Sequence, residues 1–374
     1  MSYSSSRLAS LRHALSVREA DAFYLRDQSS LRWLTAFDGV FDDEDAHAMI
    51  VTADQAVIHT DSRYSEAFEH AAVDSEIGID ATRQTHTQFA YRMLEPLRDG
   101  TQGTESSLTL AIETTLTLAE YRKLEHVFAD WDIRFLETDD VVSSLRRVKD
   151  ADEIARMKSA QALTDAAFAH IVGYMQPGMT EREVQLELED YLVRSGAEGL
   201  AFSSIVATGP NGASPHSIPG ATVLEQGQCV VLDFGARTQG YCSDMTRMVF
   251  LGEPDPRVRR AYETIRRANE TVAVLLKPGV TGAEAHQCAE DILAEGGFAN
   301  AMGHSLGHGV GIDIHEEPVL ALRNNEPLVV GNVVTVEPGI YVAGEFGMRL
   351  EDYGVITHDG FEVFTHSSHE MVII

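Results

Sequence analysis

The sequence predicts an α+β protein of two domains, a smaller mixed α/β domain over residues 1–141 and a larger domain over residues 142–374. Three observations support this fold class. The chain has 374 residues, which exceeds the size of one typical hydrophobic core. Strand-like and helix-like segments alternate in its first part. In its second part, a helix followed by a strand-rich, glycine-punctuated stretch occurs twice.

The first domain is predicted from its alternating segments. Residues 46–60, AHAMIVTADQAVIHT, predict strands, and residues 114–131, TTLTLAEYRKLEHVFADW, repeat apolar residues at helical spacing. This part of the chain holds no dense cluster of metal-binding residue types. A long helix then opens in SSLRRVKDADEIARMKSAQALTDAAFAHIVGYM, with Asp150 and Asp152 near its positive end. We place the domain boundary just before this segment.

The second domain contains a weak internal repeat. PGMTEREVQLELEDYLVRSG begins at Pro177, and PGVTGAEAHQCAEDILAEGG begins 101 residues later, at Pro278. Such residues recur in many α/β proteins, but six matches at one offset favour a duplication. In each copy, a threonine and the glutamate three residues after it predict a helix that opens with a capping box. The further matches are Gly178 with Gly279, Thr180 with Thr281, Glu183 with Glu284, Asp190 with Asp291 and Gly196 with Gly297.

Composition and charge exclude several classes of function. A formal net charge of −29 would repel a phosphate backbone, and the chain has no Lys/Arg-rich run, so we expect no nucleic-acid partner. The N-terminal MSYSSSRLASLRHALS lacks an apolar core, and no later stretch approaches the roughly 18 apolar residues that span a bilayer. We therefore expect a cytoplasmic protein with no membrane partner. Cys229, Cys242 and Cys288 are too scattered for a disulfide framework or a cysteine-based zinc site.

Two aspartates are predicted to lie side by side on a β-hairpin. In QCVVLDFGARTQGYCSDMTRMVF, two β-rich runs flank ARTQG, so we expect a turn near Thr238 and Gln239. That register pairs Asp233 with Asp244, with Cβ atoms about 4.5–5.5 Å apart. Two buried carboxylates at this distance repel each other unless they share a proton or a cation. The alternative for the hairpin alone is two aspartates that face solvent.

The second copy of the repeat supplies further ligand types. The strand-like runs VVTVEPGIY and GMRLEDYGVI carry Glu337 and Glu351 at the place of the first hairpin. Between the hairpins lies GHSLGHGVGIDIHEEP, with His304, His308 and His315 among glycines that disfavour a continuous helix. One imidazole with four carboxylates, and no sulfur, suits two hard or borderline ions such as manganese, cobalt or zinc. The sequence therefore predicts a site for divalent metal ions.

These motifs resemble the pita-bread metallopeptidases, the family of methionine aminopeptidase, aminopeptidase P, prolidase and the metal-free creatinase. The resemblance covers the catalytic half through IVATGPNGASPHSIPG, VVLDFGA, GYCSDMTR, HSLGHGVGIDIHEEP, VEPGIY and RLED. YLRDQSSLRWLTAF and HTDSRY extend it more loosely to a creatinase-type N-terminal domain. It implies a C-terminal pita-bread (creatinase/aminopeptidase) fold with an internal pseudo-two-fold repeat. The N-terminal domain favours the Xaa-Pro peptidase branch, since methionine aminopeptidases generally lack it.

The resemblance also implies a ligand set. Two divalent metal ions per subunit would be bound, and we expect manganese, with cobalt or zinc as alternatives. Asp244 and Glu351 would bridge both ions, and Asp233 would hold one of them. His308 and Glu337 would hold the other, and Glu337 would also move a proton.

Five neighbouring residues are implied to assist. His216 and His315 would contact the substrate and stabilise the oxyanion, and His304 would border the proline pocket. Arg349 and Thr246 each lie two residues from a predicted ligand on a strand, hence on the same face, where they would orient its carboxylate. For His216 the alternative is a loop histidine with its own hydrogen bonds. For Arg349 it is an ordinary surface ion pair.

We therefore interpret the chain as a dinuclear metal-dependent Xaa-Pro aminopeptidase that hydrolyses the bond between an N-terminal residue and a following proline. Xaa-Pro dipeptidase (prolidase) activity is the alternative, although beyond Arg349 the motifs show no basic residue clearly free to neutralise a proline carboxylate. A non-enzymatic peptide-binding role is disfavoured, because every ligand position is filled, and hydrolysis of an organophosphate is a third option. We expect a proline-containing peptide as substrate. We also expect a homodimer, since the N-terminal half lacks catalytic residues yet is retained.

Overall fold

The computed structural model describes residues 3–42, 44–101 and 107–374. The chain divides into two units, Met1–Arg146 and Arg147–Ile374. No helix in these described ranges is both long enough and apolar enough to cross a membrane.

The N-terminal unit is built on one mixed sheet. Its strands are β1 Ala22–Leu25, β2 Ala48–Thr52, β3 Ala56–His59, β4 Gly78–Asp80, β5 Leu108–Glu113 and β6 Ile133–Thr138. Its helices are α1 Tyr3–Val17, α2 Gln28–Thr35, α3 Ser65–Ala71, α4 His86–Thr101, α5 Leu118–Val127 and α6 Val141–Arg146. The strand order is β4-β3-β2-β1-β5-β6. β1 runs antiparallel to β2 and parallel to β5, so the sheet has mixed strand directions.

The predicted segments of this unit form as expected. The strand-like run over residues 46–60 contains β2 and β3, and the helix-like run over residues 114–131 contains α5. Every residue of β1, β2 and β5 is buried, because side chains on both faces of these strands are covered. An aromatic and aliphatic core that includes Tyr24, Phe89 and Phe128 fills one side of the sheet.

The C-terminal unit combines helices with several short sheets. Its helices are α7 Ala151–Tyr174, α8 Glu181–Arg194, α9 Pro256–Leu275 and α10 Gly282–Glu295, with a 3₁₀ turn at Gly209–Ala213. Its first strands are β7 Gly199–Leu200, β8 Ile205–Thr208, β9 Cys229–Phe234, β10 Ala236–Thr238, β11 Tyr241–Cys242 and β12 Met245–Phe250. The remaining strands are β13 Gly307–Gly309, β14 Glu316–Leu320, β15 Val333–Val336, β16 Gly339–Val342, β17 Phe346–Arg349, β18 Asp352–Ile356, β19 Phe361–Val363 and β20 Val372–Ile373.

Helices cover both faces of the central strands of this unit. Strand β9 is buried on both sides: Val230 and Leu232 face a cluster that contains residues of α7 and α8. Val231, which alternates with them, faces a second cluster that contains residues of α9 and α10. The sheets are ordered β20-β12-β9-β8 and β14-β13-β15-β18-β19, with the smaller sheets β11-β10-β7 and β16-β17 beside them.

The internal repeat is visible in the backbone. Helices α8 and α10 both open with a complete capping box, at Thr180 and at Thr281, so both predicted boxes are confirmed. The turn before each helix contains a glycine in the same left-handed region, Gly178 at φ 97° and Gly279 at φ 96°. The two halves therefore use the same local chemistry at matched positions.

The first hairpin differs from the predicted register. Its two turn residues are Gln239 and Gly240, which both have positive φ (51° and 78°), as a type I′ turn requires. The turn therefore lies one residue later than predicted, and Asp233 pairs with Thr246 rather than with Asp244. The predicted pairing is wrong. Asp244 precedes Thr246 by two residues, so the two carboxylates still share a face, but diagonally.

The second hairpin places its two glutamates directly opposite each other. Gly339 pairs with Arg349 in β16 and β17, and β15 and β18 continue the same register. Glu337 and Glu351 are the residues between these strand segments, so they face each other across the ladder. Strand β13, which carries His308, pairs with β15 and so runs beside the strand that leads to Glu337.

Candidate metal centre

The predicted ligands converge where the strands of the two halves meet. Asp244, His308 and Glu351 each offer a ligand atom, and these atoms all lie within 4.8 Å of one another. The Nε2 atom of His308 is 3.6 Å from Asp244 Oδ2 and 3.4 Å from Glu337 Oε1. Asp233 joins the group through Arg349, whose guanidinium contacts its Oδ2 atom. All five predicted ligands therefore lie in one cluster.

The tautomer of His308 is set by its backbone contact. Nδ1 lies 3.0 Å from the carbonyl oxygen of Gly309, and because a carbonyl can only accept, Nδ1 carries the proton. Burial lowers the pKa of His308, which keeps the ring neutral. Nε2 then presents a lone pair toward the carboxylate oxygens of Asp244 and Glu337. An acceptor that faces acceptors needs a proton or a cation between them.

The carboxylates show the same demand for positive charge. Asp233 Oδ1 and Glu351 Oε1 are buried and have no hydrogen-bond partner in the described chain. Burial raises the pKa of Asp244 and of Glu351, and neighbouring carboxylates raise both further. Leaving such oxygens unpaired is costly, whereas a bound divalent ion would satisfy them. The donor set, four carboxylates and one imidazole, therefore fits the predicted metal ions.

Arg349 is fully engaged with this cluster. Besides contacting Asp233, its Nε donates to Thr246 Oγ1 at 2.9 Å, and its Nη1 donates to the Tyr341 hydroxyl at 2.8 Å. Its Nε also lies 3.8 Å from Glu337 Oε2. Arg349 is only 5% exposed, so it is not a surface ion pair.

Thr246 links the two hairpins. Its hydroxyl accepts from Arg349 and donates to Glu351 Oε2 at 2.7 Å, while its backbone carbonyl accepts from the N–H of Glu351. Thr246 and Arg349 thus contact ligand carboxylates, where alternation along their strands had placed them. Their hydrogen bonds leave Glu351 Oε1 as the oxygen of that carboxylate without a partner.

Tyr341 was not found from the sequence. Its hydroxyl accepts from Arg349 and lies 3.0 Å from Nε2 of His304. Nδ1 of His304 donates to the carbonyl of Ser305 at 2.7 Å, and burial lowers the pKa of His304, so Nε2 is the acceptor of the tyrosine proton. The signal was present in the sequence: Tyr341 lies four residues after Glu337 in an extended run, hence on the same face.

The remaining predicted histidines lie at the exposed side of the cluster. The ring of His315 packs edge-on against that of His308, with centroids 4.4 Å apart, yet His315 is exposed. Neighbouring protein atoms still cover part of the His315 ring, and this partial desolvation lowers the pKa of His315. His216 is itself exposed, in the loop after the 3₁₀ turn. Both can meet a molecule that approaches the carboxylates from solvent.

Comparisons with known proteins identify both halves of the chain. Residues 155–358 match metallopeptidase family M24, and residues 7–148 match the creatinase/prolidase N-terminal domain. The uncharacterized peptidase YqhT of Bacillus subtilis is 33% identical over 374 residues, which cover 98% of this chain and 100% of that protein.

Solved structures of two peptidases resemble the whole chain. The Xaa-Pro dipeptidase from Bacillus anthracis has a TM-score of 0.90 and 34% identity, covering 99% of this chain and 100% of its own. The X-Pro aminopeptidase from Thermotoga maritima has a TM-score of 0.82 and 32% identity, covering 97% and 100%. These findings confirm the predicted family, the predicted fold class and an enzyme rather than a binding protein. The family also implies that divalent metal is bound. The chain therefore belongs to metallopeptidase family M24 and is a metallo-exopeptidase that carries a creatinase/prolidase-type N-terminal domain.

Proposed function

We propose that this enzyme is a Xaa-Pro aminopeptidase that binds two divalent metal ions through Asp233, Asp244, His308, Glu337 and Glu351. The observation that supports the metal assignment is the set of buried, unpaired acceptors: two carboxylate oxygens and the lone pair of His308. We propose manganese as the physiological ion, with cobalt and zinc as alternatives. Metal analysis of the protein purified without added metal would contradict this if neither manganese nor its alternatives were present.

The side chains around the ligands suit hydrolysis of a peptide bond before proline. When bound, the ions would supply activation of water and polarisation of the scissile carbonyl. Glu337, whose carboxylate lies beside His308 and Arg349, would accept a proton from the attacking water and pass it to the departing proline nitrogen. His315 is exposed beside His308, where a ring N–H can donate to the developing oxyanion. His216 contacts the substrate from the neighbouring loop.

The state of Arg349 supports aminopeptidase rather than dipeptidase activity. A dipeptidase must neutralise the free carboxylate of a C-terminal proline close to the reacting bond. Arg349 is a basic residue of the matched motifs whose guanidinium lies among the proposed ligands, but it is engaged by Asp233, Thr246 and Tyr341. Releasing it would leave buried partners unpaired, which costs about 1–3 kcal/mol for each group.

A Xaa-Pro dipeptidase is the second candidate, and a specific observation favours it. The structure from Bacillus anthracis, described as a Xaa-Pro dipeptidase, resembles this chain with a TM-score of 0.90, against 0.82 for the X-Pro aminopeptidase from Thermotoga maritima. We further propose a homodimer in the cytoplasm. A monomer mass from light scattering at working concentrations would contradict the dimer.

Three substrates separate these functions. Hydrolysis of Ala-Pro-Ala, Ala-Pro and Ala-Ala-Ala is measured with the enzyme loaded with one defined metal at a time. We expect Ala-Pro-Ala to be cleaved well, and comparable kcat/KM for Ala-Pro would fit an aminopeptidase that also accepts dipeptides. Cleavage of Ala-Pro alone would replace our proposal with dipeptidase activity. Equal rates on Ala-Ala-Ala and Ala-Pro-Ala would remove the requirement for proline.

A further inference from the structure

The loop that carries His216, residues 208–220, is closed at its base. It leaves strand β8 at Thr208, passes through the 3₁₀ turn Gly209–Ala213 and reaches Gly220. We call it the His216 loop. Both of its ends donate backbone N–H groups to the same carboxylate, so it has the joined ends of an Ω-loop. The position of His216 therefore depends on what holds the base.

The carboxylate at the base belongs to Glu181, the first residue of α8. Its Oε1 accepts from the N–H of Thr208 at 2.9 Å and from Asn211 Nδ2 at 3.0 Å, and its Oε2 accepts from the N–H of Gly220 at 3.2 Å. Glu181 is 0% exposed. A buried carboxylate is stable only when both oxygens are satisfied, and here the donors come from the His216 loop.

The second half of the domain shows that the fold itself does not need this glutamate. The repeat offset of 101 residues aligns Glu181 with Gly282, while the capping threonine and glutamate beside it are retained in both copies. A Cβ atom at Gly282 would lie 2.4 Å from the carbonyl oxygen of Val319, so backbone fills the space that a side chain would need. Asn324 holds that segment instead, donating to the Val319 carbonyl at 2.8 Å.

The middle of the His216 loop is held against the metal centre. A Cβ atom at Gly347 would lie 1.8 Å from the carbonyl oxygen of Gly212, so the 3₁₀ turn packs directly on strand β17. Strand β17 ends at Arg349, which contacts Asp233. Along the chain, His216 therefore lies between Gly212, which packs on strand β17, and Gly220, which is hydrogen-bonded to Glu181.

We propose that Glu181 is a positioning residue: its buried carboxylate closes the His216 loop and so fixes His216 toward the substrate. This inference rests on the proposed function, in which His216 contacts the substrate. The carboxylate of Glu181 occurs only in the half of the domain that carries the His216 loop. In the other half, the matched position is Gly282, which has no side chain. Glu181 itself touches no substrate in this proposal.

The loop-holding role is tested without activity. In Glu181→Gln, one acceptor oxygen becomes an NH₂ donor that faces a backbone N–H, so hydrogen exchange of peptides covering residues 206–222 should be about tenfold faster. Glu183→Gln is the matched control, because Glu183 lies in the same first turn, is exposed and, among the described residues, its carboxylate is hydrogen-bonded to the capping Thr180 alone. Unchanged exchange at Thr208 and Gly220 in Glu181→Gln would overturn the proposal.

The catalytic consequence is tested by a double-mutant cycle on Ala-Pro-Ala. We expect Glu181→Gln to lower kcat by about 10- to 100-fold, the scale for a misplaced group, with metal content unchanged. Because the effect acts through His216, Glu181→Gln should cost nothing further in the His216→Ala background. Multiplied losses in the double variant would overturn the positioning role, as would faster exchange with unchanged kcat.

Two further measurements keep the outcomes separate. If wild type cleaves no Xaa-Pro peptide, the proposed function fails, whereas the exchange experiment still tests how the loop is held. If Glu181→Gln does not fold, Asn211→Ala replaces it, because this change removes one donor to Glu181 and leaves the charge paired by backbone. Asn211→Ala should then show faster loop exchange and a smaller loss of kcat, and wild-type values for both would overturn the proposal.

Discussion

Replacing Tyr341 by phenylalanine should lower kcat/KM for Ala-Pro-Ala about 10- to 100-fold, equivalent to roughly 1.4–2.8 kcal/mol. The hydroxyl accepts from Arg349 at 2.8 Å and donates to His304 at 3.0 Å. A hydrogen bond to a charged group contributes about 1.5–3 kcal/mol and a neutral one about 0.5–1.5 kcal/mol. In the variant, Arg349 still contacts Asp233 and Thr246, so part of the hydrogen-bond energy is retained. The lost activity then comes chiefly from a less well oriented His304.

The assay for Tyr341→Phe compares kcat/KM, metal content and thermal stability with those of Tyr262→Phe. Tyr262 serves as the control, because it is a buried tyrosine whose hydroxyl donates to the backbone carbonyl of His369 at 3.1 Å. Both variants should lose stability, and only Tyr341→Phe should lose activity while it retains metal. Unchanged kcat/KM in Tyr341→Phe would refute the reasoning, and loss of metal would show that Tyr341 acts through Asp233 instead.

Four other predictions address the metal centre and the N-terminal unit. A chelator should abolish activity, and manganese or cobalt should restore it; full activity in a verified metal-free sample would contradict a metal-dependent reaction. Asp244→Ala should lose most bound metal, as measured by the metal-to-protein ratio. The control variant Asp190→Ala, which replaces an exposed aspartate paired with Arg194, should keep its metal. Equal ratios in the two variants would exclude Asp244 as a shared ligand. His315→Ala should keep its metal but lose roughly 100- to 1,000-fold in turnover, the usual scale for one oxyanion donor, and unaffected turnover would exclude that role. Burial lowers the pKa of His47 from 6.5 to about 4. Between these two pH values, His47 is protonated in the unfolded chain but neutral in the folded one, so the free energy of unfolding falls as the pH drops toward 4. We expect about 2 kcal/mol less stability at pH 5 than at pH 7, measured by urea unfolding, and an equal pH dependence in His47→Leu would rule this out.

The sequence was sufficient to predict which side chains cluster at the candidate metal centre, because strand alternation tolerates small errors of register. The hairpin turn was placed one residue too early, which shifted the cross-strand partner of Asp233 by two residues, from Thr246 to Asp244. A shift of two keeps every side chain on its own face. The convergence of the carboxylates was therefore predictable, whereas the partner of each was not.

Residues that act through long-range hydrogen bonds were harder to predict. In the sequence, Glu181 looks like an ordinary acidic residue in the first turn of a helix. The capping box is already formed by Thr180 and Glu183, so nothing marks Glu181 as special. Its burial is decided by the His216 loop, whose ends lie 27 and 39 positions further along the chain. No local pattern reports such a contact. Tyr341, by contrast, lies on the face shared with Glu337 and could have been found by alternation alone.

Two glycines beside the candidate metal centre let backbone and side chains approach each other more closely than a Cβ atom would allow. A Cβ atom at Gly235 would lie 1.9 Å from the carbonyl oxygen of Ser243, the residue before Asp244. A Cβ atom at Gly339 would lie 2.6 Å from the Tyr341 hydroxyl, which Arg349 and His304 hold in place. In each hairpin, then, a glycine allows the close approach that a functional side chain needs. The two halves meet this requirement at different positions of their hairpins, since the first half presents its carboxylates diagonally and the second presents them face to face. Duplication accounts for the shared scaffold, and these local departures from symmetry account for a single cluster with unequal ligands.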